Sequence, residues 1–558
     1  MQLAELTDAE VAEARDARRD RRAFAVAQKL SNIGDARLTW IVGASLFVLY
    51  GWPLAVYGLP PFQDLPNHIA TAHIAAHPGL YPEYIFNGFL KSNCLLTLWL
   101  AVLGGHSLAG AAWGFTAMTL AVNALALPIF VLRFAGRRHL PVAALFFWPL
   151  VHSFSLVMGF LNFTFAFGLS LILLVVLDRQ RERPTTRGAA GIGALAIVVW
   201  YAHPFPIGIV GLLVALHAIA RPTWRDRARA GVTLLLPLIP AAVLSLVTAE
   251  QHLVKPEHTT AAAATFRYQN PFELIVHLWM DVSGALTWRG SMTLVPALLL
   301  PYAAWRYGWK QRPLLSWRAM AVLTVAYLLL PNMLSNWNYL NSRLVPFLWA
   351  GMIIRLPSRI SRNMAGALAI SALAFSLSLG VDYAKLDGDR AEFTAGIQAV
   401  PERATLLPLL FKHRQAGEFT ATLTHDWGFY TVQKDTSAPL VFAVDRSHPI
   451  IYRDFPPTQL IPPALDRFAE RFATPSLTCR ELGRDPSLTS CTAVWRDLWA
   501  NFWRQAEPRF SHLLIWALPA QARELIPPRY HSVFAAGRLE IFARDTNTRT
   551  PPTSPIGE

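Results

Sequence analysis

The chain has 558 residues, 53% hydrophobic and only 15% charged, with mean hydropathy +0.32 and net charge +14. A soluble chain carries roughly a quarter charged residues, so this composition, with 19 Trp and 32 Phe, indicates a protein that crosses a membrane many times. Three cysteines and no glycine period exclude a disulfide scaffold and a collagen-like chain, and basic residues confined to short segments between apolar runs argue against nucleic-acid binding.

Residues 1–37 are polar, with Arg15, Arg18, Arg19, Arg21, Arg22 and Lys29 ahead of the first apolar run. No short cleavable apolar region precedes that run, which reads as an uncleaved signal anchor. A span requires about 20 apolar residues. Spans are expected at 39–58, 107–132, 141–158, 161–178, 188–202, 204–220 and 230–248. Further ones at 291–309, 316–333, 344–356 and 364–381 bring the count to about eleven.

Orientation follows from the loops. RFAGRRHL (133–140), DRQRERPTTR (178–187), RPTWRDRAR (221–229), RYGWKQR (306–312) and RLPSRISR (355–362) alternate with loops poor in Lys and Arg. Placing the basic set inside puts the N-terminal segment 1–37 in the cytoplasm and everything after 382 outside. CLLTLWLAVLGG (94–105) must then lie in the interface rather than cross. The expected fold is a polytopic α-helical membrane protein, spans over 38–381, with a first outer loop at 59–106.

After 382 the composition changes. Mixed charge, many prolines and short β-like runs at 438–444, 512–518 and 538–544 predict a small extracytoplasmic α/β domain over 382–545. The stretch 391–400 has a helical pattern, and 546–558 reads as a disordered tail. Cys479 and Cys491 lie in this domain, where an oxidising compartment permits a disulfide; two free thiols are the alternative, since spacing does not fix pairing geometry.

The outer loops carry the polar residues of interest. In QDLPNHIATAH (63–73), Asp64 precedes Pro66 and a helical run, so its carboxylate suits a helix cap. The same carboxylate, held at the membrane edge, suits a general base. Asp64 and His68 are four apart and share a helix face, as are His73 and His77. His68 is read as a site residue or an interfacial hydrogen-bonding group. His73 and His77 lack an accompanying Cys or second carboxylate, so they are read as interfacial; no cofactor is expected, and a divalent metal, with at most a weak metal dependence, is left open but has no support in the residues.

Three further motifs fall at outward turns. In MGFLNFTFAFG (158–168), Asn162 points its amide toward the outer surface, or Gly159 and Gly168 simply permit close helix packing. In WYAHPFP (200–206), His203 before Pro204 marks a helix break or lines a cavity. In NWNYLNSRLVPFLW (336–349), Arg343 heads a span on the side where basic residues are disfavoured. It either snorkels or grips a phosphate through its planar donor fork. Arg267 and Tyr268 are weaker candidates for that task, and Lys255 and His258 are read as solvated. Polar residues at span mouths are expensive, so their grouping on one side indicates a cavity open to the outside.

QDLPNHIATAH (63–73), GFLNF (159–163), Ala-His-Pro at 202–204 and NSRLVPF (341–347) together resemble the C-type superfamily of membrane glycosyltransferases, which use polyprenyl-phosphate sugars. More narrowly they resemble a bacterial group whose first outer loop reads Asp-x-Pro-Asn-His. The resemblance implies an inverting sugar transfer at the outer face of the bacterial cytoplasmic membrane. A polyprenyl-phosphate-linked sugar would be the donor, and a glycan, lipid or protein the acceptor. Asp64 would be the base, with His68, Asn162, His203 and Arg343 binding substrate. Many superfamily members carry two neighbouring acids in this loop, some with a divalent metal; here Asp64 stands alone, and Glu83 is not adjacent. Competing readings are a lipid or saccharide transporter or flippase, with the broken spans lining a path, or a non-enzymatic envelope-assembly protein.

Overall fold

The computed structural model describes residues 34–248, 266–280, 284, 286–307, 313–334, 337–414, 417–444, 447–454, 456–457, 460 and 464–545. The expected segment 1–37 lies almost wholly outside them, and the tail 546–558, Lys255 and His258 lie outside them altogether. Among the described residues five helices are long and apolar enough to cross a membrane: Asp35–Tyr57, Leu108–Phe134, Leu161–Glu182, Trp224–Val247 and Arg362–Ala399. The pair Arg137–Ala144 and Trp148–Val157, bent by 73°, makes a sixth if taken as one crossing. Shorter apolar helices occupy Thr186–Ala202, Pro204–Ile219, Trp317–Leu329 and Ser342–Ile353. The expected eleven spans are therefore not confirmed. Prolines explain much of the shortfall: Pro149, Pro204 and Pro346 each sit in the first turn of a helix, where a missing N–H starts a helix rather than continuing one.

Leu161–Glu182 is the central helix, with 83% of its apolar window buried against 17% for Trp224–Val247. Small residues set its packing. A Cβ on Gly168 would come within 2.9 Å of Val122 and 3.0 Å of Asn123, so the neighbouring helix Leu108–Phe134 approaches closely there. Asn123 then donates from Nδ2 to the Thr164 carbonyl at 3.1 Å, tying the two helices together.

The segment 59–106, expected as the first outer loop, contains the helix Leu65–Ala76, a strand Tyr84–Phe86 and a nine-residue helix Leu95–Leu103. That last helix spans about 14 Å at 1.5 Å per residue, too short to cross a hydrocarbon core of about 30 Å.

The expected boundary at 381/382 falls inside one continuous helix, Arg362–Thr394, which carries the chain directly into the C-terminal region. There a four-stranded sheet has the order Leu406–Leu410, His512–Trp516, Leu539–Arg544, Tyr530–Ala536. The first pair is parallel, in register Leu406 with His512, and the others are antiparallel. Two of the expected strands, 512–518 and 538–544, match sheet strands. The third, 438–444, is irregular, because Asn67 from the first loop takes the Leu440 carbonyl and the Phe442 N–H. The helical pattern of 391–400 ends at Thr394 and resumes as a short 3-10 turn, Ile397–Ala399. Cys479 and Cys491 are joined in a disulfide, with Cα atoms 5.7 Å apart.

The two regions are stitched together. Tyr84–Phe86 pairs antiparallel with Ile450–Tyr452. Buried Arg390 donates to the Leu59 and Pro60 carbonyls at 2.9 and 3.1 Å and lies 3.4 Å from Asp426.

Candidate active site

The motif around Asp64 is held in place through the backbone. Gln63 and Asp64 donate their N–H groups to the Val157 and Met158 carbonyls, both at 3.1 Å. Gly159 follows at φ +86°, and a Cβ there would stand 2.7 Å from Asp64 N and 2.9 Å from Asp64 Cβ. Only glycine fits both that backbone conformation and that approach. The first-loop motif and Met-Gly-Phe-Leu-Asn motif, about a hundred residues apart in sequence, thus build one turn.

Asp64 occupies the position before the helix Leu65–Ala76, with Pro66 in its first turn, but its side chain makes no capping hydrogen bond. The expected cap is corrected: φ −89° and ψ −8° are helical values, whereas a capping side chain normally needs an extended backbone. The carboxylate faces His425 instead, with Oδ1 3.4 Å from Nε2. The other ring nitrogen, Nδ1, lies 3.3 Å from Asn67 Nδ2. Asn67 Oδ1 accepts from Phe442 N–H at 3.1 Å, so its nitrogen faces the ring. In the neutral ring Nδ1 is therefore the acceptor, and the proton sits on Nε2 toward Asp64. Burial disfavours a charged His425, but Asp64, with Asp466 and Asp426, outweighs it and raises the ring above its usual value.

A cavity of about 280 Å³ opens beside this pair. All five residues singled out from the sequence, Asp64, His68, Asn162, His203 and Arg343, line it. Arg343 Nη1 lies against His203 Nε2, and Nη2 donates to the Asn338 carbonyl at 3.4 Å. Its guanidinium lies 5.2 Å from the Phe160 ring centre and 5.6 Å from that of Phe163, an arrangement suited to a planar cation. His203 caps the helix Pro204–Ile219, its Nδ1 accepting from Phe205 N–H at 3.1 Å. The break at Ala-His-Pro thus places the ring that meets Arg343. Asn341 steadies the approach to Arg343, donating to Gln269 Oε1 at 2.9 Å and accepting from Asn332 at 3.2 Å.

His68 packs edge-on to Phe442, ring centres 5.2 Å apart. Burial pushes its ring down to about 4; Asp64 opposes that and His448 and His425 add to it, so His68 is neutral at physiological pH. Asn162 lines the cavity with its amide already engaged: Nδ2 donates to the Asn93 carbonyl at 2.7 Å and Oδ1 accepts from Leu96 N–H at 2.8 Å. It anchors the turn into Leu95–Leu103.

His73 and His77 lie outside the cavity. His73 Nε2 meets Asp435 at 2.8 Å, joining the first loop to the C-terminal region. Arg267 and Tyr268 do not line the cavity either; Arg267 belongs to a short strand paired with Met333. Among the described residues no group of three His, Cys, Asp or Glu side chains is placed to hold a metal ion.

Sequence reasoning missed three residues that the C-terminal region or the helix Leu65–Ala76 supplies: His425, Asp466 and Asn67. Asp466 lines the same cavity, and burial raises its carboxyl above the usual range against the opposing pull of His425 and Arg467. The second carboxylate that the first loop lacks thus arrives from about 400 residues away. Asn67 lies inside the quoted Asp-x-Pro-Asn-His motif, and that was the available signal. His425 and Asp466 stand in stretches with no recognisable pattern.

No family model matches the chain, and no curated protein matches it significantly. Its structure is similar to a solved structure of the arabinofuranosyltransferase AftD from Mycobacteria, with TM-score 0.50 and 16% identity. The match covers 92% of this chain and 40% of AftD, so the chain spans about two fifths of that protein's length. At this identity the likeness establishes a shared fold over nearly all of the chain.

Proposed function

We propose that the chain is a membrane glycosyltransferase that moves a sugar from a polyprenyl-phosphate donor to an acceptor hydroxyl. The observation that carries this reading is the shared cavity: a carboxylate, Asp64, and a guanidinium, Arg343, line one space of about 280 Å³. That is close to the lower end of small-molecule pockets, about 300–1,000 Å³, and suits a sugar-phosphate headgroup with its lipid tail outside. The fold shared with an arabinofuranosyltransferase supports the same class of reaction.

In this mechanism the acceptor hydroxyl gives its proton to Asp64 as its oxygen attacks the anomeric carbon. The bond from that carbon to the phosphate oxygen breaks, and the lipid phosphate leaves with the electron pair, inverting the anomeric centre. Arg343 faces the negative charge that develops there, the role in which fixed charge contributes most. His203 and the Asn338 carbonyl orient the guanidinium, His425 holds Asp64, and neutral His68 offers a hydrogen bond to the sugar. Arg343 supplies the positive charge at the phosphate, and no step is assigned to a metal.

The cavity is assigned to the outer face of the bacterial cytoplasmic membrane, with the C-terminal region outside. Asn162 and Asp178 stand near opposite ends of one helix, about 24 Å apart at 1.5 Å per residue. The basic loops 133–140 and 178–187 belong to the Asp178 end, as the positive-inside bias requires.

The test uses the purified full chain in liposomes, a radiolabelled polyprenyl-phosphate arabinofuranose or hexose donor, and a saccharide acceptor. Wild type is expected to transfer label, and Asp64→Asn to lose a factor of about 10²–10⁴. Full-rate transfer by Asp64→Asn would remove the base assignment. Inert wild-type protein with both donor classes would overturn the reading.

A further inference from the structure

The cavity has two walls of different chemistry. One, built from 158–163, 203–204 and 338–343, presents Arg343 between aromatic rings. The other, built from the C-terminal region, presents His425, Asp466 and the apolar surface of Leu440, Val441 and Phe442. Asp64 lines the same cavity as Arg343 and Asp466. The transferase reading gives Asp64 and Arg343 their tasks and leaves Asp466 without one.

Asp466 has one relevant feature independent of its charge. Its Oδ1 is buried and has no hydrogen-bond partner among the described residues. A buried carboxylate oxygen without a donor is costly, about 1–3 kcal/mol or more, and such an atom calls for a donor from elsewhere. Arg467, next in the chain, turns to Glu470 at 3.9 Å. The Asp466 carboxylate lines the cavity, and the donor it can meet there is a ligand hydroxyl, with the adjoining Phe442 and Val441 covering the C–H face of a sugar ring.

We propose that Asp466 anchors the acceptor: its carboxylate accepts a hydrogen bond from one hydroxyl of an uncharged saccharide and presents a neighbouring hydroxyl to Asp64. Asp466 only accepts this hydrogen bond and takes no part in bond breaking. The inference rests on the transferase reading and divides the site, with the donor phosphate on the Arg343 wall and the acceptor on the Asp466 wall. It also sets a specificity. An acceptor carrying a phosphate near the reacting hydroxyl meets two carboxylates and is repelled.

The test measures transfer by full-length protein in liposomes to a neutral arabinofuranosyl disaccharide and to its phosphorylated derivative. Asp466→Ala is expected to raise the acceptor KM about tenfold or more, as loss of a hydrogen bond to a charged group does, with donor KM within about twofold. Asp466→Asn, which keeps the shape and an accepting oxygen, is expected to retain most neutral-acceptor activity and to narrow the discrimination against the phosphorylated one. An unchanged acceptor KM in Asp466→Ala, or unchanged discrimination in Asp466→Asn, overturns the proposal. If wild type transfers nothing, the transferase reading fails separately. Saturation-transfer NMR of the neutral disaccharide then decides the anchor: binding lost in Asp466→Ala supports it, and equal binding overturns it.

Discussion

The central helix Leu161–Glu182 has a charged cluster near each end, and the two are built on different plans. Near its C-terminal end Asp178, only 4% exposed, has both oxygens occupied: Arg133 Nε donates to Oδ2 at 2.6 Å and Arg181 Nε to Oδ1 at 2.9 Å. Arg133 also reaches Glu182 at 2.7 Å, so every charge there faces another charge. Near the N-terminal end, Asp64, His425, Asp466 and Arg343 face a cavity, on walls drawn from stretches of chain far apart in sequence. A closed network holds helices together. The other set lines a cavity, with Asp64 against His425 and Arg343 against His203, so its charged groups face an open space as well as their partners.

The comparison can be broken at either end. Arg343→Ala is expected to lower transfer by about 10²–10³, the range for losing a fixed charge at a developing anion. Arg343→Lys should recover only part, because an ammonium lacks the planar fork; initial rates with saturating acceptor decide this. Gly159→Ala is expected to cost about tenfold or more in rate without unfolding the protein, since the new methyl meets the Asp64 backbone at 2.7 Å and the residue sits at φ +86°. Normal activity in that variant would mean that the position of Asp64 is not critical.

The pH response sharpens the contrast. His68 is neutral in the folded protein down to about 4, against 6.5 when unfolded, so the unfolded chain binds the extra proton first. Stability from this group is whole above pH 6.5 and declines as pH falls toward 4. His425, raised by Asp64 against burial, works the opposite way: its contribution is whole below pH 6.5 and fades as pH rises through its folded value. Thermal unfolding of His68→Gln should therefore show a shallower acid decline than wild type, and an identical slope would remove His68 from the account. The smallest effect on catalysis belongs to the closed cluster. Asp178→Asn is expected to destabilise the protein by about 3–5 kcal/mol, the cost of breaking a buried pair, while the folded protein keeps its transfer rate within about twofold.

Much of this site is legible in the sequence, for a physical reason. Asp64, His68, His203 and Arg343 are costly at membrane edges and stand beside Pro and Gly breaks, so they stand out from apolar surroundings. His425 and Asp466 lie in a polar region, where one more His or Asp carries no signal; contacts distant in sequence, among them the docking of Tyr84–Phe86 on Ile450–Tyr452 and the grip of Asn67 on the 440–442 backbone, bring that region to the cavity. The fold behaved similarly. Short apolar β-like runs pointed to His512–Trp516 and Leu539–Arg544, whereas Leu406–Leu410 carries Pro408 in its middle, a residue that argues against a strand away from a sheet edge. The run 438–444 has strand composition and no strand, because its backbone groups are taken by a side chain from elsewhere.

The most direct test is single-turnover transfer with a polyprenyl-phosphate sugar preloaded on wild type and Asp64→Asn in liposomes. The account predicts donor affinity within about threefold for the two proteins and a chemical step slower by about 10²–10⁴ in the variant. A variant that transfers at the wild-type rate, or that fails only because it no longer binds donor, would contradict it.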